Sequence, residues 1–162
     1  PHDDNEVDLG SSSYEFKDMY LDGTAYTDGL NVDGNMFKKT IVTTKTTASV
    51  VTYTAAELIG GFIIRDPAGA NRIDVPPTAA QIVAAIPNAF VGASFEYYWK
   101  NSADAAETLT YNVGSPPTGI TISNTFSIAQ NYFGRFLVVA TNVTSGSEAA
   151  TIYYMGSDDW DN

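Results

Sequence analysis

Asp-Gly recurs at 22–23, 28–29 and 33–34, in steps of six and five residues, with only Thr24-Ala25-Tyr26 and Leu30-Asn31-Val32 between the turns. Asp-Gly supplies the positive φ of a tight turn. A turn every five or six residues leaves strands too short to build a sheet within one chain. Such a segment packs by stacking, either as coils of a solenoid or as strands shared among several copies. The side chains that stacking would bury are Tyr20, Leu21, Tyr26, Leu30 and Val32, so the spacing predicts an oligomer with these five at its interface. Calcium is the rival use of Asp22, Asp28 and Asp33, but the D-x-D-x-D-G pattern with its terminal Glu is missing.

Around this segment the chain divides by pattern. Residues 1–10 are an acidic tail, 11–40 the short-repeat shaft, 41–156 the main domain and 157–162 a second acidic tail. Strand signals dominate the main domain. Ile41 to Tyr53 is a run rich in Thr and Val, whose branched side chains suit a pleated surface. Phe62-Ile63-Ile64-Arg65 is a short apolar strand ending at Asp66-Pro67. From Phe90 to Lys100 the residues alternate, with Phe95, Tyr97 and Trp99 on one face and Glu96, Tyr98 and Lys100 on the other. Further strands are expected around Leu109–Val113, Gly119–Ile128, Phe133–Asn142 and Ala149–Met155. Thr78-Ala79-Ala80-Gln81 is a capping box that opens one short helix, with Pro87 as its stop. Thr54-Ala55-Ala56-Glu57 repeats the box, but Gly60-Gly61 should end that run after about a turn. The expected fold is all-β, a β-sandwich or jelly-roll-like domain with one short helix behind a short-repeat β shaft.

Composition narrows the chemistry. The net charge is −11 and the eight basic residues are scattered, which argues against a nucleic-acid partner. No cysteine is present, so disulfides, thiol nucleophiles and thiolate metal sites are all excluded. The single histidine, His2, lies in the acidic tail, where no base could be held in register. No run approaches the ~18 apolar residues of a membrane span. Pro1 stands where an initiating Met would, so the chain is either trimmed or a piece of a longer one. Catalytic residues, metal ligands and cofactors are therefore all expected to be none. A glycan-degrading enzyme would need two acids facing each other across a groove.

Two kinds of side chain remain as contact candidates. Arg65 and Arg72 flank the tight connection Asp66 to Asn71; they either reach a partner or pair with Asp66 or Asp74 to pin the loop. Strand parity should turn Tyr98 outward, together with either Tyr153 or Tyr154. Exposed rings of this kind suit a subunit interface, or stacking on a glycan. As a carbohydrate-binding module the chain would use Tyr98, Trp99 or Tyr153 as platforms.

Leu9-Gly10-Ser11-Ser12-Ser13-Tyr14-Glu15-Phe16-Lys17-Asp18-Met19-Tyr20-Leu21-Asp22-Gly23 resembles a segment widespread in the tail fibres and spikes of tailed bacteriophages. The block from Ala55 to Met155, with Leu58 to Pro67 and Phe136-Leu137-Val138-Val139, is similar to globular modules in virion structural proteins of marine phages. The resemblance implies a homotrimer in a virion or other extracellular setting, serving as a fibre or capsid-surface decoration subunit without catalysis. Its implied partners are further copies of itself, other virion proteins and a host-surface glycan. No self-cleaving Ser/Lys centre is recognisable.

Overall fold

The computed structural model describes Leu21 and residues 38–159. The chain divides into two units, Pro1–Met36 and Phe37–Asn162. Of the first unit only Leu21 is described, and it is exposed. The expected shaft contacts Tyr20, Tyr26, Leu30 and Val32 lie outside the described residues, as do the acidic N-terminal tail and the last three residues.

In the second unit strand predominates (44%, against 11% helix), which bears out the mostly-β expectation. The elements run β1 (Ile41–Thr46), α1 (Ala55–Gly60), β2 (Gly61–Asp66), β3 (Arg72–Asp74), α2 (Ala79–Ala85) and β4 (Ser94–Asn101). They continue with β5 (Leu109–Tyr111), β6 (Ile120–Ile122), β7 (Tyr132–Asn142) and β8 (Ala149–Asp159). Six strands form one sheet in the order β1-β2-β4-β7-β8-β6, and β3 pairs with β5 in a small second sheet. The pairs β1–β2, β2–β4, β6–β8 and β3–β5 are parallel; β4–β7 and β7–β8 are antiparallel. Parallel neighbours need a crossover, and the short helices stand in two of them.

Two helices form where one was expected. Thr54 Oγ1 accepts the Glu57 amide while the Glu57 carboxylate accepts the Thr54 amide, a complete capping box. Thr78 and Gln81 make the same reciprocal pair at α2. Each box satisfies donors that a helix start leaves open. Gly61, at φ 98°, both caps α1 and begins β2, so helix and strand join with no linker. The helix ends at Gly60-Gly61, where its sequence placed the stop.

One face of the large sheet carries the core. Parity places Ile63 of β2, Tyr97 and Trp99 of β4, Phe136 and Val138 of β7 and Ile152 of β8 inward, all wholly buried. Leu58 of α1, Ile82 of α2 and Leu109 of β5 cover them. Trp99 is the centre of an aromatic stack, 4.6 Å from the Tyr111 ring and edge-on to Tyr53 at 5.6 Å. Tyr97 stacks on Phe136 at 4.9 Å. Offset and edge-on rings at these separations add packing energy beyond the area they bury. Tyr154 follows Ala150 and Ile152 onto the inner face by plain alternation, and a register shift beyond it, between Arg135 and Phe136, leaves Met155 as a bulge opposite β7.

Candidate functional site

Arg65 occupies an inward position of β2, two residues from Ile63, and is wholly buried. Its Nε donates to Asp74 Oδ2 at 2.8 Å, with Nη2 3.4 Å from Oδ1. The remaining guanidinium hydrogens go to backbone carbonyls of Thr47, Ser49 and Asp66. Asp74, equally buried, also accepts the Val51 amide at 2.9 Å and the Tyr53 hydroxyl at 3.0 Å. A buried charge pair is tolerable only when its remaining lone pairs and protons are engaged in this way. Burial raises the Tyr53 phenol far above its ordinary pKa, and the neighbouring Tyr111 and Asp74 add to the shift. The network ties β2, β3 and residues 47–53 together. Arg65 is thus corrected from a surface contact to a structural hub, in the pairing with Asp74 that its spacing allowed. Arg72 is half-buried on β3, its Nη1 donating to the Asn71 carbonyl at 3.3 Å.

The aromatic candidates separate by strand parity. Tyr98 and Tyr153 lie on the outer face of the large sheet. Tyr154 turns inward, half-buried, and stacks on Phe126 at 5.1 Å, so it is corrected from surface contact to core. Trp99 is likewise wholly buried and offers no platform.

The outer face carries apolar side chains among charged ones, Glu96, Lys100 and Arg135. Register aligns Val42 with Phe62, Phe62 with Tyr98, and Leu137 with Tyr153, and Ile64 and Val139 share that side. Tyr98 stacks against Phe62 at 6.3 Å and lies 5.9 Å from the Phe133 ring. These three rings, with Lys38, Thr40, Gly61 and Glu96, line a cleft of about 430 Å³. Beside it Arg135 holds Glu96 through both carboxylate oxygens, at 2.8 and 3.0 Å from Nη2. That bond to Arg135 lowers the Glu96 pKa and raises that of Arg135.

A second concavity opens at the end of the sheet where β4 begins. It is a groove of about 270 Å³ lined by Ile59, Ala85, Ile86, Pro87, Phe90, Ala93, Ser94 and Phe95. Sequence reasoning placed Phe90 in a strand and missed it. The available signal was Pro87 and Gly92 framing an apolar Phe-Val where a polar loop tip is usual.

The acids of the described residues are individually engaged or dispersed. Glu57 closes a helix cap and meets Lys45 at 2.6 Å, Asp66 accepts the Ala68 amide, Asp74 is in the hub and Glu96 is held by Arg135. Among the described residues no three His, Cys, Asp or Glu side chains gather as metal ligands. No helix among them is long and apolar enough to cross a membrane. No family model, curated protein or solved structure matches the chain.

Proposed function

We propose that this chain is a self-assembling structural subunit of a virion, a homotrimeric phage fibre or capsid-surface decoration protein with an adhesive role. The observation that supports assembly is the large sheet's outer face. A sheet with one solvated face reads as apolar-in, polar-out, whereas strands apolar on both sides belong to sheets covered twice. Here Phe62 and Ile64 alternate with Ile63, and Leu137 and Val139 with Phe136 and Val138, so the middle of β2 and of β7 is apolar on both sides, with Arg135 the charged neighbour on the outer one. The described residues place the helices and the small sheet against one of those faces. A second copy is the occupant proposed for the other. The virion setting rests on the resemblance of residues 9–23 to phage fibres. In this reading the six-stranded sheet and its small facing layer are the β-sandwich or jelly-roll-like head, and residues 11–40 are the shaft.

The test is charge insertion at two outward positions, Leu137→Lys with Tyr153→Lys. Mutual repulsion on a dry interface should dissociate the oligomer while the far-ultraviolet circular dichroism stays unchanged. An oligomer of undiminished affinity would remove the outer face from the reading.

A second reading, carbohydrate binding, is favoured by the cleft in which Phe62, Tyr98 and Phe133 supply ring faces and Glu96 and Lys38 supply polar groups. Glycan-array binding that is lost in Tyr98→Ala supports it; a flat array response to the wild-type chain removes it.

A further inference from the structure

We propose that Trp99, Tyr53 and Asp74 form an internal relay that moves a one-electron oxidation off the buried indole and onto a phenol. The oxidation begins with near-ultraviolet light, which drives an electron from the excited indole to dissolved dioxygen and leaves an indole radical cation in the core. This activity is separate from the assembly and glycan readings above and rests on neither.

The core sets the direction of transfer. Trp99 is wholly buried, and its Nε1–H meets no hydrogen-bond acceptor among the described residues. A buried polar hydrogen without a partner is rare in a packed core. An oxidised indole ordinarily sheds that proton; here the cation keeps its charge in apolar surroundings, where a charge is costly. The hole is thereby held at high energy and moves to a neighbour that can take it without a new buried charge. Tyr53 is that neighbour. Its ring stands edge-on to Trp99 at 5.6 Å between centroids, and its hydroxyl donates to Asp74 Oδ2 at 3.0 Å. A phenol gives up an electron readily only as its proton leaves, and the Asp74 carboxylate is a base already within hydrogen-bond reach of it. Tyr111 stacks closer to Trp99, at 4.6 Å, but its hydroxyl pairs with the hydroxyl of Tyr97 at 3.1 Å, which is another phenol and not a base.

The step balances. An electron passes from Tyr53 to the Trp99 cation, the Tyr53 O–H bond breaks, and its proton bonds to Asp74 Oδ2. The products are a neutral indole, a neutral phenoxyl radical and a protonated Asp74 carboxyl. The positive charge that began on the indole remains as the Arg65 guanidinium, no longer balanced by Asp74. Arg65 still donates to the backbone carbonyls of Thr47, Ser49 and Asp66, so the charge ends on a group already furnished with acceptors. The phenoxyl radical returns to tyrosine with an electron from a one-electron reductant in solution and the proton that Asp74 holds. An oxidised indole instead adds oxygen and opens its ring. The relay thus converts an irreversible lesion at the centre of the core into a reversible one.

The experiment is nanosecond laser flash photolysis of the full chain carrying Trp160→Phe, which leaves Trp99 as its sole indole. Excitation at the red edge of the absorption band, beyond the tyrosines, in air-saturated buffer oxidises Trp99 alone. The absorbance of the indole cation should decay while that of a tyrosyl radical grows at the same rate. In heavy water both should slow together, because the Tyr53 proton moves in the same step; this comparison requires no change in the core. Adding Tyr53→Phe, with near-ultraviolet circular dichroism to confirm the fold, should abolish the tyrosyl signal and lengthen the life of the indole cation. Tyr111→Phe should leave both as they were. Mass spectrometry after steady illumination should find more ring-opened Trp99 in Tyr53→Phe than in its parent. A tyrosyl signal undiminished in Tyr53→Phe or lost in Tyr111→Phe, an indole cation that decays without one, or equal rates in the two solvents would overturn the relay.

Discussion

Replacing Asp74 by Ala tests the role assigned to the buried hub. The change removes the carboxylate that faces Arg65 at 2.8 Å, with both side chains wholly shielded from water. Three groups lose their acceptor together: the Arg65 guanidinium, the Val51 amide and the Tyr53 hydroxyl. Breaking a buried pair in this way costs about 3–5 kcal/mol, because a charge is left uncompensated in the interior. The two neutral donors, left unsatisfied, each add a penalty on the order of 1 kcal/mol. Against the roughly 5–15 kcal/mol of a typical domain, the loss is a large share of the whole. Urea unfolding followed by tryptophan fluorescence, at fixed protein concentration so that assembly is held constant, is the assay. With a slope of about 2 kcal/mol per molar urea, the midpoint should fall by about 2.5–3.5 M. The double variant Arg65→Met/Asp74→Leu should lose less than the single one, since it removes both charges and leaves apolar surface behind. A midpoint shift below about 0.5 M for Asp74→Ala, under 1 kcal/mol at that slope, would refute the reasoning. The hub would then be hydrated rather than sealed.

Three further outcomes are expected. Gly119→Ala would place a Cβ 2.4 Å from the Glu148 carbonyl oxygen and 2.7 Å from Ala79 Cβ, so a loss of at least about 2 kcal/mol should appear in the same urea assay. Burial raises the phenol pKa values of Tyr53, Tyr97 and Tyr111; a neighbouring phenol adds to the shift at Tyr53 and Tyr97, while the Tyr97 hydrogen bond offsets part of it at Tyr111. These groups stay protonated when folded and ionise near pH 10 when unfolded, so stability is full below pH 10 and falls above it by up to about 1.4 kcal/mol per pH unit for each. In an absorbance titration, three of the ten tyrosines should ionise only upon unfolding. At Glu57 partial burial pushes the carboxyl pKa up, but Lys45 and the Thr54 amide outweigh it and hold it below 4.5. Its contribution is therefore present above pH 4.5 and lost as pH falls through the depressed folded value, and Glu57→Gln should flatten the acid side of the stability profile.

Local structure was legible where one residue type decides it. Both capping boxes form as their sequences dictate, because Thr followed three residues later by Glu or Gln completes its bonds within one turn. Alternation from Phe95 to Lys100 sorted inward from outward side chains correctly, since strand parity needs no knowledge of the partner strand. It could not say which strand lies alongside. β1, β2 and β4 run parallel through crossovers that a propensity argument cannot pair. Arg65 shares its face with Ile63, so an inward arginine needs a buried acid, and of Asp66 and Asp74, the two partners its spacing allowed, Asp74 is the one that meets it. Tyr154 points inward by plain alternation with Ala150 and Ile152; choosing between Tyr153 and Tyr154 required knowing which side of β8 the core lies on, and a run apolar on both parities does not say. The groove escaped notice because its walls come from α1, α2 and β4, whose meeting depends on the whole fold.

Whether the molecule exists as several copies is read most directly from the mass of the full chain at sedimentation equilibrium across a concentration series. A homotrimer should give about 52 kDa, three times the 17.4 kDa of one chain. A mass that stays at 17.4 kDa at every concentration would contradict self-assembly, and with it the structural role proposed for this protein.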